Sequence, residues 1–195
     1  MSSYDMKKIV LLSRKSFLAK IQTHIAKIEI NKIKKNLIDI HYSSSVGDKD
    51  LSAKAWEQHG FGIFTNSLSK KLVLKEADVV VHSYKDLPVK NLNKTSFVCL
   101  KRDDPRDIIL IKRSSLNKKK LVIGTSSPRR KYYLKKLKEF LPYQELKSIQ
   151  IRGNVPSRLE KVLNSSKEDG LFIAKAAIDR ILKYGQKIDK KEYKN

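Results

Sequence analysis

The sequence predicts an α/β fold of two lobes, each a mostly parallel sheet with flanking helices. Short β-branched and apolar runs alternate with amphipathic helical patterns along the whole chain, as is typical of parallel strands joined by helices. The chain has 195 residues, 40% of them hydrophobic, which suffices for one domain or two small lobes and is too short for three. The alternation restarts after an interruption at 103–107, so we expect lobes at 1–101 and 102–195.

The first lobe opens with a β-α-β pattern. Its strands are predicted from β-branched or alternating apolar residues, and its helices from apolar residues spaced three or four apart. The predicted elements, in order, are a strand at 9–13, a helix through 17–28, a strand at 37–42, a helix ending near 77, and strands at 79–81 and 97–100.

The second lobe continues the alternation with clearer helix starts. Ser127 precedes Pro128, which is the signature of an N-cap followed by proline in the first turn, and Asn154 is expected to cap the next helix. The predicted elements, in order, are strands at 108–111 and 121–124, a helix from 128, a strand ending at 152, a helix from 154, a strand at 171–174 and a helix from 176.

The composition argues against several classes of protein. A single cysteine, Cys99, allows no disulfide framework and no cysteine-rich zinc site, and the four histidines lack metal-ligand spacing, so no metal is expected. The sequence has no apolar run of roughly 18 residues and no secretory signal pattern, so we expect a soluble, cytoplasmic protein without a membrane partner. A monomer is the expected state.

The chain is strongly basic, with 43 Lys and Arg against 20 Asp and Glu and a formal net charge of +23. Charge alone suggests a polyanion such as nucleic acid. However, 34 of these cations are Lys and only nine are Arg, so most of the excess is interpreted as a solvated lysine surface. A nucleic-acid partner is therefore not expected, and DNA retention at physiological salt would contradict this.

The scarce arginines cluster in three short motifs. Arg14 lies in Ser-Arg-Lys-Ser, Arg129 and Arg130 lie in Gly-Thr-Ser-Ser-Pro-Arg-Arg, and Arg152 and Arg158 lie in Arg-Gly-Asn-Val-Pro-Ser-Arg. Because the guanidinium fork grips a carboxylate or phosphate with two hydrogen bonds, arginine in a lysine-rich chain indicates such a contact.

These motifs, together with 83–86, each follow a predicted strand. Ligands of parallel sheets bind at the carboxyl ends of the strands, and helix starts add free N–H groups there. We therefore expect one cleft to collect the five arginines, Lys85, several hydroxyls and the carboxylate of Asp86, which is a site for a small polyanion. Arg106 is instead expected to form a structural ion pair between Asp104 and Asp107. His82 is expected to be a core histidine whose hydrogen bonds are satisfied.

The same motifs resemble those of the porphobilinogen deaminases, also called hydroxymethylbilane synthases. Val-His-Ser-Tyr-Lys-Asp-Leu-Pro resembles the family's Val-His-Ser-Met-Lys-Asp-Val-Pro, and Asp-Asp-Pro-Arg-Asp resembles its Glu-Asp-Pro-Arg-Asp. Ser-Arg-Lys-Ser-Phe-Leu-Ala and the two arginine motifs of the second lobe also match, in the family's order and spacing, so the resemblance covers about 9–182. It implies the two-lobed architecture of periplasmic binding proteins of type II.

The resemblance also implies an activity: condensation of porphobilinogen units, with loss of ammonia, into a linear tetrapyrrole on the way to porphyrins, haem and chlorophyll. Each pyrrole carries two carboxylates, which suits a site of forked cations. The implied catalytic residues are Asp86, Lys85 and Arg14. The implied residues for binding substrate and cofactor are Arg14, Ser16, Ser83, Lys85, Thr125, Ser127, Arg129, Arg130, Arg152, Gly153 and Arg158.

The resemblance further implies a dipyrromethane cofactor, which primes the chain of pyrroles. In the family a third, C-terminal domain carries the cysteine that binds this primer, whereas this chain stops at Asn195, so we expect a short form that holds dipyrromethane without a covalent bond. Cys99 does not match the family's cysteine, and on a predicted strand it is expected to be a buried, inert thiol. The alternative function is a non-catalytic protein that binds pyrroles or porphyrin precursors.

Overall fold

The computed structural model describes residues 8–33, 35, 37–44, 65–87 and 95–188. The chain divides into two compact units, the first formed by Met1–Arg102 with Lys183–Asn195 and the second by Asp103–Leu182. Each unit has a parallel or mainly parallel sheet with helices between its strands, which confirms the α/β class. The lobes at 1–101 and 102–195 stay a prediction.

The first unit is built on a parallel sheet. Its described helices and strands are β1 (Lys8–Arg14), α1 (Phe17–Ile33), β2 (Leu37–Ser43), α2 (Asn66–Val73) and β3 (Val79–Val80). The strands lie in the order β2-β1-β3, with Leu12 opposite both His41 and Val80. Leu12 also packs with the buried Leu68 and Ala77, so the central strand β1 is fixed on its buried side. One turn of 3₁₀ helix, Tyr84–Asp86, follows β3.

Helix α2 ends four residues before the predicted position, at Val73, because the chain makes a left-handed turn at Lys75. Lys75 has φ of 60°, and its N–H donates to the Leu72 carbonyl at 3.1 Å. The Glu76 N–H donates to the Lys71 carbonyl at 3.0 Å. These two bonds form a Schellman motif, in which the left-handed position is usually glycine. A lysine Cβ there strains the backbone.

Replacing Lys75 by glycine is therefore expected to stabilise the protein by about 1 kcal/mol, because glycine adopts the left-handed conformation without steric cost. Urea unfolding measures the change. The matched control is Lys70→Gly within α2, which should destabilise by about 1 kcal/mol. Equal losses in both variants would show that the conformation of Lys75 carries no strain.

The predicted strand at 97–100 is wrong, since residues 95–106 form neither helix nor strand. Phe97 is 51% exposed and Val98 is 90% exposed, and β1 is the only strand that pairs with β3 in the described parts of the chain. An apolar run forms a strand only where a neighbouring strand lies close enough to pair with it. The expectation of a buried Cys99 is wrong for the same reason, because this thiol is exposed.

The second unit is built on a mixed sheet. Its elements are β4 (Asp107–Ile111), β5 (Lys120–Gly124), α3 (Pro128–Leu137), β6 (Glu145–Ile149), α4 (Val155–Asn164), β7 (Gly170–Ala174) and α5 (Lys175–Tyr184), the last of which continues into the first unit. The strands lie in the order β4-β7-β5-β6, and β4 alone runs antiparallel to its neighbour. Leu121, Ile123, Leu134 and Phe172 form the core between sheet and helix.

The strand predicted to end at 152 ends instead at Ile149, so Gln150–Arg152 lie beyond it. This places Arg152 in the connection to α4 rather than on the sheet. No helix in the described ranges is long and apolar enough to cross a membrane. Within those ranges, no three or more His, Cys, Asp and Glu side chains are grouped as metal ligands.

Candidate functional site

The first unit brings Arg14 and Asp86 together at the carboxyl end of the sheet. Arg14 is the last residue of β1, and Asp86 ends the 3₁₀ turn that follows β3. Arg14 Nη1 lies 3.9 Å from Asp86 Oδ2, and the two side chains are 20% and 21% exposed. The Asp86 N–H donates to the Ser83 carbonyl at 2.9 Å, which fixes the turn. A half-buried cation and carboxylate therefore share one strand edge, with Lys85 exposed beside them.

Four polar side chains, those of Ser13, Ser16, His82 and Ser83, extend this edge. Ser83 Oγ donates to Gln22 Oε1 at 3.1 Å, so helix α1 holds the residue next to the turn. Ser13 is completely buried, and neither its Oγ nor His82 Nε2 has a hydrogen-bond partner among the described residues. The prediction of a satisfied His82 is therefore wrong. Ser16 is half-buried, and its carbonyl accepts from the Lys20 N–H at 3.0 Å where α1 begins.

Burial and the charge of Arg14 lower the pKa of His82 from 6.5 to about 4. As the pH falls below 6.5, the unfolded chain binds a proton that the folded protein does not. Folding stability is therefore expected to fall between pH 6.5 and pH 4, by about 3 kcal/mol in total from this residue. Urea unfolding at pH 7, 5.5 and 4.5 measures the loss.

The matched comparison for this prediction is His82→Gln, which cannot titrate and should lose less stability over the same range. An identical pH dependence in the parent and His82→Gln would remove His82 as its source.

The second unit presents two capped helix starts beyond β5 and β6. Ser127 Oγ accepts from the Arg130 N–H at 3.4 Å, and Asn154 Oδ1 accepts from the Ser157 N–H at 2.9 Å, which confirms both predicted caps. Thr125 Oγ1 accepts from the Ser127 N–H at 3.2 Å. Thr125 is only 1% exposed, so its observed role is to hold the loop before α3.

The two adjacent arginines at the start of α3 share one carboxylate. Asp107 Oδ1 accepts from Arg130 Nη2 at 2.8 Å, and Asp107 Oδ2 lies 2.6 Å from Arg129 Nη2. Arg106 pairs with Asp104 instead, at 2.6 Å. The ion pair predicted for Arg106 is thus confirmed with Asp104, whereas Asp107 has a different role. Burial alone would raise the pKa of Asp107, but the hydrogen bonds and charges of Arg130 and Arg129 lower it.

Arg158, on the first turns of α4, has no ion-pair partner among the described residues. Its Nε is buried without a hydrogen-bond partner, as is the Nε of Arg130. Burial and the charge of Arg130 together lower the pKa of Arg158. Two like charges with unused N–H donors favour an anion, because an anion would satisfy the donors and offset the repulsion.

Arg152 and Gly153 form the connection that enters α4. Gly153 has φ of +117°, and a Cβ there would come within 3.3 Å of Ser157 Cβ, so the turn requires glycine. The Arg152 carbonyl accepts from Lys161 Nζ at 3.1 Å, while the residue itself is exposed. The local turn therefore directs an exposed arginine next to the start of a helix.

The predicted residues thus form two sets, one in each unit. The first contains Arg14, Ser16, Ser83, Lys85 and Asp86, and the second contains Thr125, Ser127, Arg129, Arg130, Arg152, Gly153 and Arg158. Gln22 and Asp107 were not predicted as site residues, although Asp107 was expected to flank Arg106. Asp107 was detectable, because it belongs to the quoted Asp-Asp-Pro-Arg-Asp motif. Gln22 had no signal beyond a polar position on a helix.

Fold and site together define an α/β protein whose strand ends and helix starts carry arginines suited to anionic ligands. The chain belongs to the porphobilinogen deaminase family. The family described as "Porphobilinogen deaminase, dipyromethane cofactor binding domain" matches residues 9–194.

Curated relatives agree with this assignment. The chain is 35% identical over 178 residues to "Porphobilinogen deaminase" of Ruminiclostridium cellulolyticum, covering 90% of this chain and 59% of the relative. It is 38% identical over 173 residues to "Probable porphobilinogen deaminase" of Picrophilus torridus, covering 87% and 58%. It is 36% identical over 187 residues to "Porphobilinogen deaminase" of Synechococcus sp. (strain CC9902), covering 92% and 57%. The chain therefore spans less than two thirds of the length of these relatives.

Proposed function

We propose that the chain carries the activity of a hydroxymethylbilane synthase, the deaminating condensation of porphobilinogen into a linear tetrapyrrole. The observation that carries the proposal is the half-buried pair of Arg14 and Asp86 at the carboxyl end of the first sheet. A carboxylate beside a cation suits a substrate that brings both carboxylates and a developing positive charge. The names of the curated relatives support the same activity.

Asp86 is assigned the catalytic role. Loss of ammonia from porphobilinogen leaves an electron-poor azafulvene, and a fixed carboxylate stabilises the positive charge that develops as it forms. The same carboxylate can accept a hydrogen bond from the pyrrole N–H and relay a proton. Arg14 pairs with Asp86 and places a positive charge beside it, and the exposed Lys85 offers a further positive charge to a substrate carboxylate.

The arginines of the second unit are assigned to carboxylate binding. Arg158 and Arg130 each have a buried Nε–H that finds no hydrogen-bond partner in the part of the chain that the structure describes. Arg129 and Arg152 are exposed, and each lies at or just before the start of a helix. Ser127 uses its oxygen as an acceptor in the cap, which leaves its O–H to donate. Together with Ser16, Ser83, Thr125 and Gly153 these residues complete the proposed set.

The same residues fit a dipyrromethane, which carries four carboxylates. The fit rests on the buried Nε–H groups of Arg130 and Arg158, which have no hydrogen-bond partner among the described residues and which a ligand carboxylate would satisfy. When bound, this cofactor supplies the pyrrole end to which further units are joined. Several charge-assisted hydrogen bonds, each contributing about 1.5–3 kcal/mol before ordering costs, suffice for micromolar retention without a covalent bond.

A covalent bond to Cys99 is the competing arrangement. The thiol is exposed, so burial does not protect it, but it lies outside all the motifs of the site. Protein purified from cells that make porphobilinogen should give the Ehrlich colour of a dipyrromethane when native. It should show the bare mass of 22.5 kDa after denaturation. An adduct that disappears in Cys99→Ala would contradict non-covalent retention, and an active protein without colour would show that the primer is dispensable.

A non-catalytic protein that binds pyrroles is the second candidate, and the unpaired donors alone would suit it. Asp86 argues against it, because a binder of carboxylates gains little from an anion in the same place. Incubation with porphobilinogen separates the two. Consumption of porphobilinogen, with uroporphyrin absorbance after acid oxidation, is expected; binding without consumption would establish the binder. We also propose that the protein has the architecture of periplasmic binding proteins of type II. It is further proposed to be a cytoplasmic monomer that binds no nucleic acid.

Arg158→Lys tests the carboxylate site itself. Lysine keeps the positive charge but has no Nε–H and no fork, so affinity for porphobilinogen should fall about tenfold. Isothermal titration calorimetry measures this. Arg113→Lys, an exposed change in the second unit, is the matched control and should bind like the parent. If Arg158→Lys also binds like the parent, Arg158 is not a ligand residue.

A further inference from the structure

Asp107 stands between the two adjacent arginines of the second unit and has no part in the proposed function so far. It is the first residue of β4, and its side chain is 12% exposed. Its two oxygens serve different guanidinium groups, Oδ1 at 2.8 Å from Arg130 Nη2 and Oδ2 at 2.6 Å from Arg129 Nη2. One carboxylate thus connects the sheet to two consecutive residues of α3.

The two arginines differ in how firmly they are held. Arg130 is 14% exposed, donates a second hydrogen bond from Nη1 to the Phe172 carbonyl at 3.4 Å, and lies 6.0 Å from the Phe172 ring. Arg129 is 60% exposed, and among the described residues its guanidinium contacts, apart from Asp107, only the Tyr133 ring, at 6.0 Å. Arg130 is therefore locked to the core, whereas the orientation of Arg129 depends on Asp107.

Asp107 itself has little freedom to move. It lies opposite Ala174 in the antiparallel pair of β4 and β7, and the Lys175 N–H donates to the neighbouring Arg106 carbonyl at 2.9 Å. Asp107 is thus anchored on the strand through its hydrogen bond from Arg130 to Oδ1, while Oδ2 forms an ion pair with Arg129 and accepts no hydrogen bond among the described residues. An arginine held through Nη2 alone keeps its other N–H groups for a second acceptor.

From this geometry we infer that Asp107 is a positioning residue, which orients Arg129 so that its remaining N–H edge meets a carboxylate of the ligand. The inference rests on the proposed function, since that function supplies the carboxylate-bearing ligand. Asp107 also offsets one of two adjacent positive charges, which allows both guanidinium groups to stay close together. The opposite role, a carboxylate that competes with the ligand for the arginines, predicts tighter binding when Asp107 is neutralised.

A double-mutant cycle of Asp107→Asn and Arg129→Lys, with porphobilinogen binding as the readout, tests the inference. Asp107→Asn keeps the shape but loses the charge, and affinity should fall about tenfold. Arg129→Lys should cost about tenfold in the parent but no more than about twofold in Asp107→Asn, because its fork is no longer oriented there. Equal costs in both backgrounds, or tighter binding by Asp107→Asn, would overturn the inference.

Two further measurements keep the result unambiguous. Asp107→Glu retains the charge and should recover part of the lost affinity, which a merely structural residue would not show. Unfolding curves of each variant identify one that fails to fold, in which case the Asp107→Glu form replaces Asp107→Asn in the cycle. In that case we expect Asp107→Glu to lose part of the affinity for porphobilinogen and to show a smaller effect of Arg129→Lys than the parent does. An equally large effect of Arg129→Lys in both backgrounds would contradict the positioning role of Asp107.

The same cycle is repeated with succinate, a plain dicarboxylate, with binding to all four proteins followed through the backbone amide signals at the start of α3 in NMR spectra. If porphobilinogen fails to bind the parent while succinate shows the coupling of Asp107 and Arg129, the proposed function fails and the positioning role stands. If both ligands bind without coupling, the positioning role fails and the proposed function stands.

Discussion

Asparagine at position 86 is expected to lower the rate of porphobilinogen condensation by roughly two to three orders of magnitude while ligand binding stays equal or becomes tighter. The amide keeps the shape of the carboxylate in its turn but loses the charge that stabilises the azafulvene. Binding does not suffer, because removing an anion reduces repulsion of the substrate's carboxylates. Steady-state consumption of porphobilinogen, together with calorimetric binding, measures both quantities.

The matched control for Asp86→Asn is Asp39→Asn. Asp39 lies on β2 in the same unit, is 38% exposed and pairs with Lys8 at 3.0 Å. The Asp39→Asn substitution therefore removes an equal charge outside the site. Its turnover should equal that of the parent. Turnover of Asp86→Asn within a few-fold of the parent would remove Asp86 from the mechanism.

The largest effect on stability is expected at Asp169. This carboxylate is 6% exposed and accepts from Ser115 Oγ at 2.8 Å, Lys118 Nζ at 2.6 Å and the Val122 N–H at 2.8 Å. Burial alone would raise the pKa of Asp169, but these hydrogen bonds lower it. Asp169→Ala leaves three donors without their acceptor and should destabilise the second unit by about 3–5 kcal/mol.

Urea unfolding of the whole protein measures this loss, and Asp179→Ala is the control. Asp179 is 44% exposed and pairs with Lys175 within one helix, so its removal should cost under about 1 kcal/mol. Similar losses in the two variants would mean that Asp169 is only one of many equivalent surface charges.

The fold class followed from local pattern, because each helix and strand of these lobes is amphipathic or apolar over its own length. The runs at 9–13 and 171–174 became β1 and β7, and the caps at Ser127 and Asn154 formed where serine, asparagine and proline stand in the sequence. The prediction of a strand at 97–100 was wrong because a strand forms only beside a partner strand, and that partner can lie anywhere along the chain. The prediction that Cys99 is buried depended on that strand, and it was therefore wrong as well.

The residue types of the site were likewise readable from the sequence, since scarce arginines in ordered motifs mark contacts with anions. What only the tertiary structure decided is how each arginine is used. Arg130 is locked to Asp107 and Phe172, Arg129 is held at one end, and Arg158 keeps an unpaired buried donor. Partners far apart in sequence make this difference, because a guanidinium's remaining hydrogen-bonding capacity depends on which carboxylates and carbonyls the fold brings within about 3 Å of it.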